Sequence, residues 1–336
     1  VLNLSVNAFV VEAQAETRAS IPSGTPEKET PEEKEIHNIW VFQYDAATKE
    51  LLIKPRYYTI TDQAMLQDLP VYLKAGVPSV VYVVTNTGYD NWANDGTDAS
   101  WQKFKQLEQL KKQTLPTAFP LRSIDKVSIP MAGASEEVEV TTGITVTVPV
   151  TRMYAKLKVK VEMRKAEMEL NNVNVRQIPN ICRVETLAGD GKGEPMEPVP
   201  FPDETTFSSI AFAASDLEKN EDKEWAVFYV PENLQGETQT QGGNKSDAAP
   251  SNALVVDITT EIGGERYLYA AYPGGNSLNN FNIQRNQVYR ITVTITGEKN
   301  QNNPSANCFV VKPDGFLSFE PYYRTETGGG YNFADY

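Results

Sequence analysis

Few residues in this sequence are equipped for covalent chemistry. The 336 residues include one histidine, His37, and two cysteines, Cys182 and Cys308. A Ser-His-Asp or Cys-His arrangement sets an imidazole beside its nucleophile, so His37 alone would have to serve, and a histidine-rich metal site is excluded. His37 adjoins a glutamate-rich stretch and reads as an ordinary surface residue. The two cysteines lie too far apart for a zinc spacing or a CxxC redox pair, and spacing leaves open whether they join in a disulfide. Gly189-Asp190-Gly191-Lys192-Gly193 has the glycines of a phosphate cradle. Pro195, Pro198, Pro200 and Pro202 follow where a helix N-terminus would be needed, so it reads as a loop. Asp90, Asn91, Asn94, Asp95 and Asp98 surround Gly96 with oxygen ligands that could hold calcium. Their spacing is not that of an EF-hand, and these residue types commonly form turns. Glu136-Glu137 and Asp216-Leu217-Glu218 read as solvated faces. The census predicts no catalytic residue, no metal, no cofactor and no enzyme.

Charge narrows the partners. Thirty-one Lys and Arg stand against 44 Asp and Glu, a net charge of −13, which argues against a phosphate-binding face for nucleic acid. No apolar run reaches the roughly 18–20 residues of a membrane span, so attachment to a membrane would depend on a lipid or a partner. The chain opens on Val1, without a start methionine or the charged and apolar regions of an export signal, and reads as a processed product.

The elements that must position any site are mostly strands. Val138, Val140, Ile144, Val146, Val148 and Val150 share one parity, with Thr and Glu largely on the other. Leu157, Val159, Val161 and Met163 repeat this against Lys156, Lys158, Lys160 and Glu162, as do Ile291, Val293 and Ile295 among threonines. Shorter β-branched or aromatic runs cover Ile39–Tyr44, Val80–Val84, Ala226–Val230, Leu254–Ile258 and Tyr267–Tyr272. The pattern predicts an all-β, mainly antiparallel fold with one or two short helices. Trp101, Phe104, Leu107 and Leu110 predict one amphipathic helix over about Ser100–Gln113, and a weaker one covers Asp62–Leu69. Trp40, Trp101 and Trp225 lie in such runs and read as core residues. Trp92, in the Asp/Asn-rich loop, is the candidate aromatic platform for a ligand.

Punctuation suggests the organisation. Residues 20–35 carry Pro22, Pro26 and Pro31 among many glutamates and read as a disordered acidic linker. Residues 1–19 before it hold an N-terminal strand. A first domain covers 36–150, a second 151–303, and a tail or the start of a further domain 304–336. Leu2, Leu4, Val6, Ala8 and Val10 alternate with Asn3, Ser5 and Asn7, giving one apolar face. A strand tethered by a flexible segment is removable: a cut between Arg18 and Ala19 would free it without touching another core element. Its departure would open a groove that another chain's strand could fill. The plainer alternative is an edge strand followed by a surface loop.

Several phrases resemble the fimbrillin family, the subunits of type V pili of Gram-negative anaerobes. They are Thr151-Arg152-Met153-Tyr154-Ala155-Lys156-Leu157, Tyr229-Val230-Pro231-Glu232-Asn233-Leu234-Gln235-Gly236, Tyr272-Pro273-Gly274-Gly275 and Phe281-Asn282-Ile283-Gln284-Arg285-Asn286-Gln287-Val288-Tyr289-Arg290. The resemblance spans most of the chain. It implies two transthyretin-like β-sandwich domains and export to the outer membrane as a lipoprotein precursor, the membrane being met only through the precursor's lipid. It also implies maturation by an Arg-specific protease at Arg18, and a place in the fimbrium at the cell surface. Assembly with other pilus subunits would proceed by strand exchange and mediate adhesion to a host or bacterial surface ligand. The tail, with Asn307-Cys308 followed by Gly315-Phe316, resembles longer relatives that continue into a further domain, which suits a tip subunit over a stalk subunit. Two other readings stand beside it: a glycan-binding surface lipoprotein, and a pilus anchor that keeps its first strand.

Overall fold

A computed structural model of the chain describes residues 2–8, 30–67, 69–88, 92–93, 100–115, 121–123, 125–126, 128–141, 144–164, 166–185, 197–219, 223–239, 245–275, 279–295 and 308–310. The first half supplies ten strands: β1 (Leu2–Ala8), β2 (Asn38–Asp45), β3 (Arg56–Thr59), β4 (Leu69–Val71), β5 (Pro78–Thr85), β6 (Thr114–Leu115), β7 (Leu121–Arg122), β8 (Met131–Ala134), β9 (Val138–Glu139) and β10 (Thr145–Arg152). The second half continues with β11 (Tyr154–Met163), β12 (Glu169–Pro179), β13 (Cys182–Arg183), β14 (Phe207–Ala213), β15 (Ala226–Pro231), β16 (Val255–Ile262), β17 (Glu265–Ala271), β18 (Val288–Ile295) and β19 (Cys308–Val310). The fold is mostly antiparallel β with short helical turns, as the alternation predicts.

The first sheet runs β3-β2-β5-β8-β10-β1-β4, with β9 added beside β5. It folds over on itself. Ile39 and Val41 of β2, Val81 and Val83 of β5, Val146, Val148 and Val150 of β10, and Leu69 and Val71 of β4 all share one buried core. The end strands also meet, where the Tyr72 amide donates to the Tyr58 hydroxyl at 3.3 Å. The second half forms a two-sheet sandwich, β19-β18-β11-β15-β7 over β14-β12-β16-β17, with β7 lent by the first half. Its core is built from the inward parity of each strand, including Leu157, Val159, Val173, Phe228, Val256 and Ile291. Among the described residues two strand pairs are parallel, β1 with β10 and β11 with β18.

The two halves are fused by side chains. Trp40, Phe42 and Tyr44, on the opposite face of β2 from Ile39 and Val41, pack with Phe104, Leu107 and Leu110. The same cluster takes in Met153, Tyr154, Cys182, Val184, Val227 and Tyr229 from the second half. A strand buried on both faces reads as a near-continuous apolar run, and Ile39–Tyr44 is one, with Gln43 its single polar member. The chain passes from one half to the other at Met153, between β10 and β11.

Two helix expectations change. Residues 100–113 form not one helix but a 3-10 turn, Ser100–Phe104, and a short α-helix, Leu107–Lys111. The break arises because Lys49–Leu51 pairs with this segment strand-fashion: Leu51 N–H donates to the Lys105 carbonyl and Leu107 N–H to that of Lys49, both near 3 Å. Phe104, Leu107 and Leu110 still face the core, so the apolar stripe is right and its continuity wrong. The weaker helix is a 3-10 turn, Gln63–Gln67, ahead of β4.

The acidic linker is also shorter than expected at its C-terminal end. Pro31–Lys34 forms a 3-10 turn in which Glu33 is only 4% exposed, and Ile36 is fully buried. The Glu33 carboxylate accepts the Tyr229 hydroxyl and pairs with the Lys156 ammonium, each at 2.6 Å. The Glu33 carbonyl accepts from Arg152 Nε at 3.0 Å. Composition suggests a solvated run; a largely enclosed ammonium and a buried phenol from the second half recruit one of its carboxylates instead.

Candidate functional site

The candidate site is the slot that β1 fills. Asn3–Ala8 run parallel to Thr145–Val150 of β10, and Leu2–Leu4 run antiparallel to Leu69–Val71 of β4. The strand is therefore internal to the sheet, and the plainer expectation of an edge strand gives way. In register, Leu4 stands between Val146 and Leu69, Leu2 is opposite Val71, Val6 opposite Val148, and Ala8 opposite Val150. Each of those partners is nearly or fully buried. Among the described residues the β8 ladder with β10 is confined to Thr151 and Arg152, and β4 has no ladder other than the one with β1. Taking β1 away would leave two facing backbone edges and the apolar positions between them open to water.

The β10 wall is held tightly from behind. Gly133 of β8 lies so close to it that a Cβ there would stand 1.7 Å from the Pro149 carbonyl oxygen. Backbone cannot yield as a flexible side chain can. Gly133→Ala is therefore expected to push β8 and β10 apart and cost about 1–3 kcal/mol or more in thermal unfolding, the range for overpacking. An unchanged melting temperature would contradict this close approach.

The phrases that carried the family resemblance have structural roles. Asn233 and Ile283 exchange backbone hydrogen bonds at 2.8 and 2.7 Å, binding the Pro231–Gly236 segment to the Asn280–Arg285 segment. The buried Asn282 Oδ1 accepts the Gly236 amide at 2.7 Å, and Asn280 Oδ1 accepts the amides of Gly275 and Asn282. Gly274 is required for proximity, since a Cβ would meet the Asn280 carbonyl oxygen at 1.9 Å. Below these loops Arg285 and Glu232 form an ion pair, Nη2 to Oε2 at 3.0 Å, with side chains 9% and 3% exposed. The same guanidinium donates to the carbonyls of Val184 and Arg183 at 3.0 and 2.8 Å. Cys182 beside it is a free thiol, pushed up to about 12 chiefly by burial. No disulfide therefore involves Cys182.

The predicted site residues divide clearly. Leu2, Leu4, Val6 and Ala8 are brought together on β1; Val10, Arg18 and Ala19 lie outside the described residues. So do Asp90, Asn91, Asn94, Asp95 and Asp98 of the calcium candidate and the glycines of 189–193. Among the described residues no three His, Cys, Asp or Glu side chains gather as metal ligands would. Trp92 is corrected: it is 6% exposed, its ring edge-on to Phe42 at 6.2 Å and to Phe104 at 5.1 Å. Its large apolar surface is more stable in the aromatic cluster than in water, which leaves no platform for a ligand. Trp40 is core as expected, whereas Trp101 and Trp225 are half-buried under the ammonium groups of Lys54 and Lys158. Glu33 was missed, its position in a charge run masking a buried role.

No curated protein matches the sequence. A family model described as a domain of unknown function, DUF4906, matches residues 228–293, which span β15 to β18 and both amide-locked loops. Among solved structures, a candidate cell-adhesion protein from Parabacteroides distasonis is similar with a TM-score of 0.56 at 14% identity, over 88% of each chain. A second candidate cell-adhesion protein, from Bacteroides eggerthii, gives 0.51 at 15% identity, over 88% of this chain and 86% of that one. A fimbrial assembly protein from Parabacteroides distasonis gives 0.50 at 13% identity, over 97% of this chain and 98% of that one. At such identities the likeness is one of fold, and it extends over nearly the whole length of the chain.

Proposed function

We propose that this chain, which shares its fold with fimbrial and cell-adhesion proteins, is a non-enzymatic structural subunit of a cell-surface fimbrium. It would be exported as an outer-membrane lipoprotein precursor and join its neighbours by β-strand exchange. The observation that carries this reading is the place of β1, an internal strand pairing with β10 on one side and β4 on the other. A cut between Arg18 and Ala19 frees this strand, and a neighbour's strand takes its place against the two exposed ladders. Leu2, Leu4, Val6, Ala8 and Val10 are the positions that the incoming strand reproduces. Two sandwich domains, 36–150 and 151–303, would meet near the end of β10. The pairing of β19 with β18 within the same chain favours a tip-like, strand-accepting subunit over a stalk subunit. The buried position of Trp92 removes the feature that favoured glycan binding.

Intact mass and size exclusion before and after limited Arg-specific proteolysis test this. The expected result is one early cut after Arg18 and release of Val1–Arg18 from a folded body; Arg18→Ala abolishes the cut. Leu4→Asp should loosen the strand in the uncut protein and speed its loss after cutting. A body that resists cutting, or that keeps its first strand under every non-denaturing condition, would make this an anchor subunit or a surface sandwich protein instead.

A further inference from the structure

β4 poses a problem if the slot is ever empty, because its only described ladder is with β1. Two walls that accept a strand must stay about 9–10 Å apart, twice the ~4.8 Å spacing of neighbouring strands. Apolar burial of Leu66, Leu69 and Val71 favours closure of that gap as readily as its preservation, since it has no direction. Hydrogen bonds do have direction. Ahead of β4, Gln63 clasps the backbone of Ile36 on both sides, its Oε1 accepting the Ile36 amide at 3.0 Å and its Nε2 donating to the Ile36 carbonyl at 2.9 Å. Behind β4, the fully buried Gln43 of β2 clasps Lys74 in the same way, accepting its amide at 2.6 Å and donating to its carbonyl at 2.8 Å. Between them the Tyr58 hydroxyl of β3 accepts the Tyr72 amide. None of these bonds involves β1.

We infer that Gln43, Gln63 and Tyr58 are positioning residues that hold β4 as the far wall of the slot while no strand occupies it. Each clasp ties an end of the β4 segment to the fixed part of the domain: to β2 itself, or to Ile36 just before it. Ile36 is in turn secured by the Asn86 side chain, which donates to the Glu35 carbonyl and accepts the His37 amide, both at 2.8 Å. The occupant that the preformed slot fits is a neighbouring subunit's strand with alternating apolar residues, which match the buried Val146, Val148, Val150, Leu69 and Val71 in register. This inference rests on the strand-exchange reading above and adds to it the residues that keep the acceptor open.

The test uses the full chain nicked after Arg18, with both fragments present, and a fluorescent peptide of sequence Val1–Arg18 in excess. Incorporation of the peptide into the body is followed by size exclusion. Gln63→Ala and Tyr58→Phe are the first variants, because Gln63 is exposed and the Tyr58 change removes a single hydroxyl; Gln43→Leu is the more severe one. If the clasps preform the slot, the un-nicked Gln63→Ala/Tyr58→Phe chain melts close to wild type. Its nicked form then takes up the peptide at least about tenfold less well, as expected when the competent fraction falls by that factor. Equal uptake by wild type and this double variant would overturn the inference. A nicked wild type that never exchanges its strand would overturn the strand-exchange reading itself, which is a distinct result.

Discussion

Glu232→Ala should destabilise the protein by about 3–5 kcal/mol, the usual effect of stranding one member of a buried ion pair. The Arg285 guanidinium would remain enclosed, with Val184 and Arg183 carbonyls as acceptors but no counter-charge. Arg285→Met should cost a similar amount for the mirror reason, taking from a carboxylate that is 3% exposed the guanidinium it is paired with. The double change is expected to be milder than the two singles combined, since the desolvation of both charges is then relieved together. Denaturant unfolding of the four proteins measures the coupling. Additive losses would mean that the pair is not coupled, and near-neutral single changes would mean that water reaches it.

Trp92→Ala should also unfold the protein more easily, by about 3–5 kcal/mol, the range for emptying a large aromatic site in a core. The ring packs edge-on to both Phe42 and Phe104, so its loss leaves a cavity bounded by side chains from β2 and from the 3-10 turn. Thermal and denaturant unfolding read this directly. A variant with wild-type stability would count against the burial described above.

Much of the fold could be read from side-chain parity. The alternation over Val138–Val150 corresponds to β9, β10 and the buried face of the first core, and the Leu157–Met163 run corresponds to β11. The alternating residues of Leu2–Ala8 identified a strand, but not its internal place, because parity states which faces a strand has and not which strands lie beside it. The broken helix escaped notice because its cause is a segment some fifty residues earlier, Lys49–Leu51, whose backbone competes for the same groups. Trp92 was misplaced by its neighbours: Asp and Asn signal a turn, yet a turn can still fold one large ring inward against distant aromatics. Glu33, Glu232 and Arg285 left no local trace either. A charge run or a polar loop looks alike whether one of its members meets water or a buried partner, and only tertiary packing distinguishes them.

The aromatic cluster shared by the two halves has a mechanical consequence. Two sandwiches joined by a peptide alone would swing about their linker, and tension between the two ends would first straighten that joint. Here Trp40, Phe42 and Tyr44 from one half interlock with Tyr154, Val227 and Tyr229 from the other, and Glu33 spans to Lys156 and Tyr229 at the same seam. A pull applied to one half reaches the other as shear across many side chains at once, so the two halves carry load as one stiff strut rather than as two beads on a string.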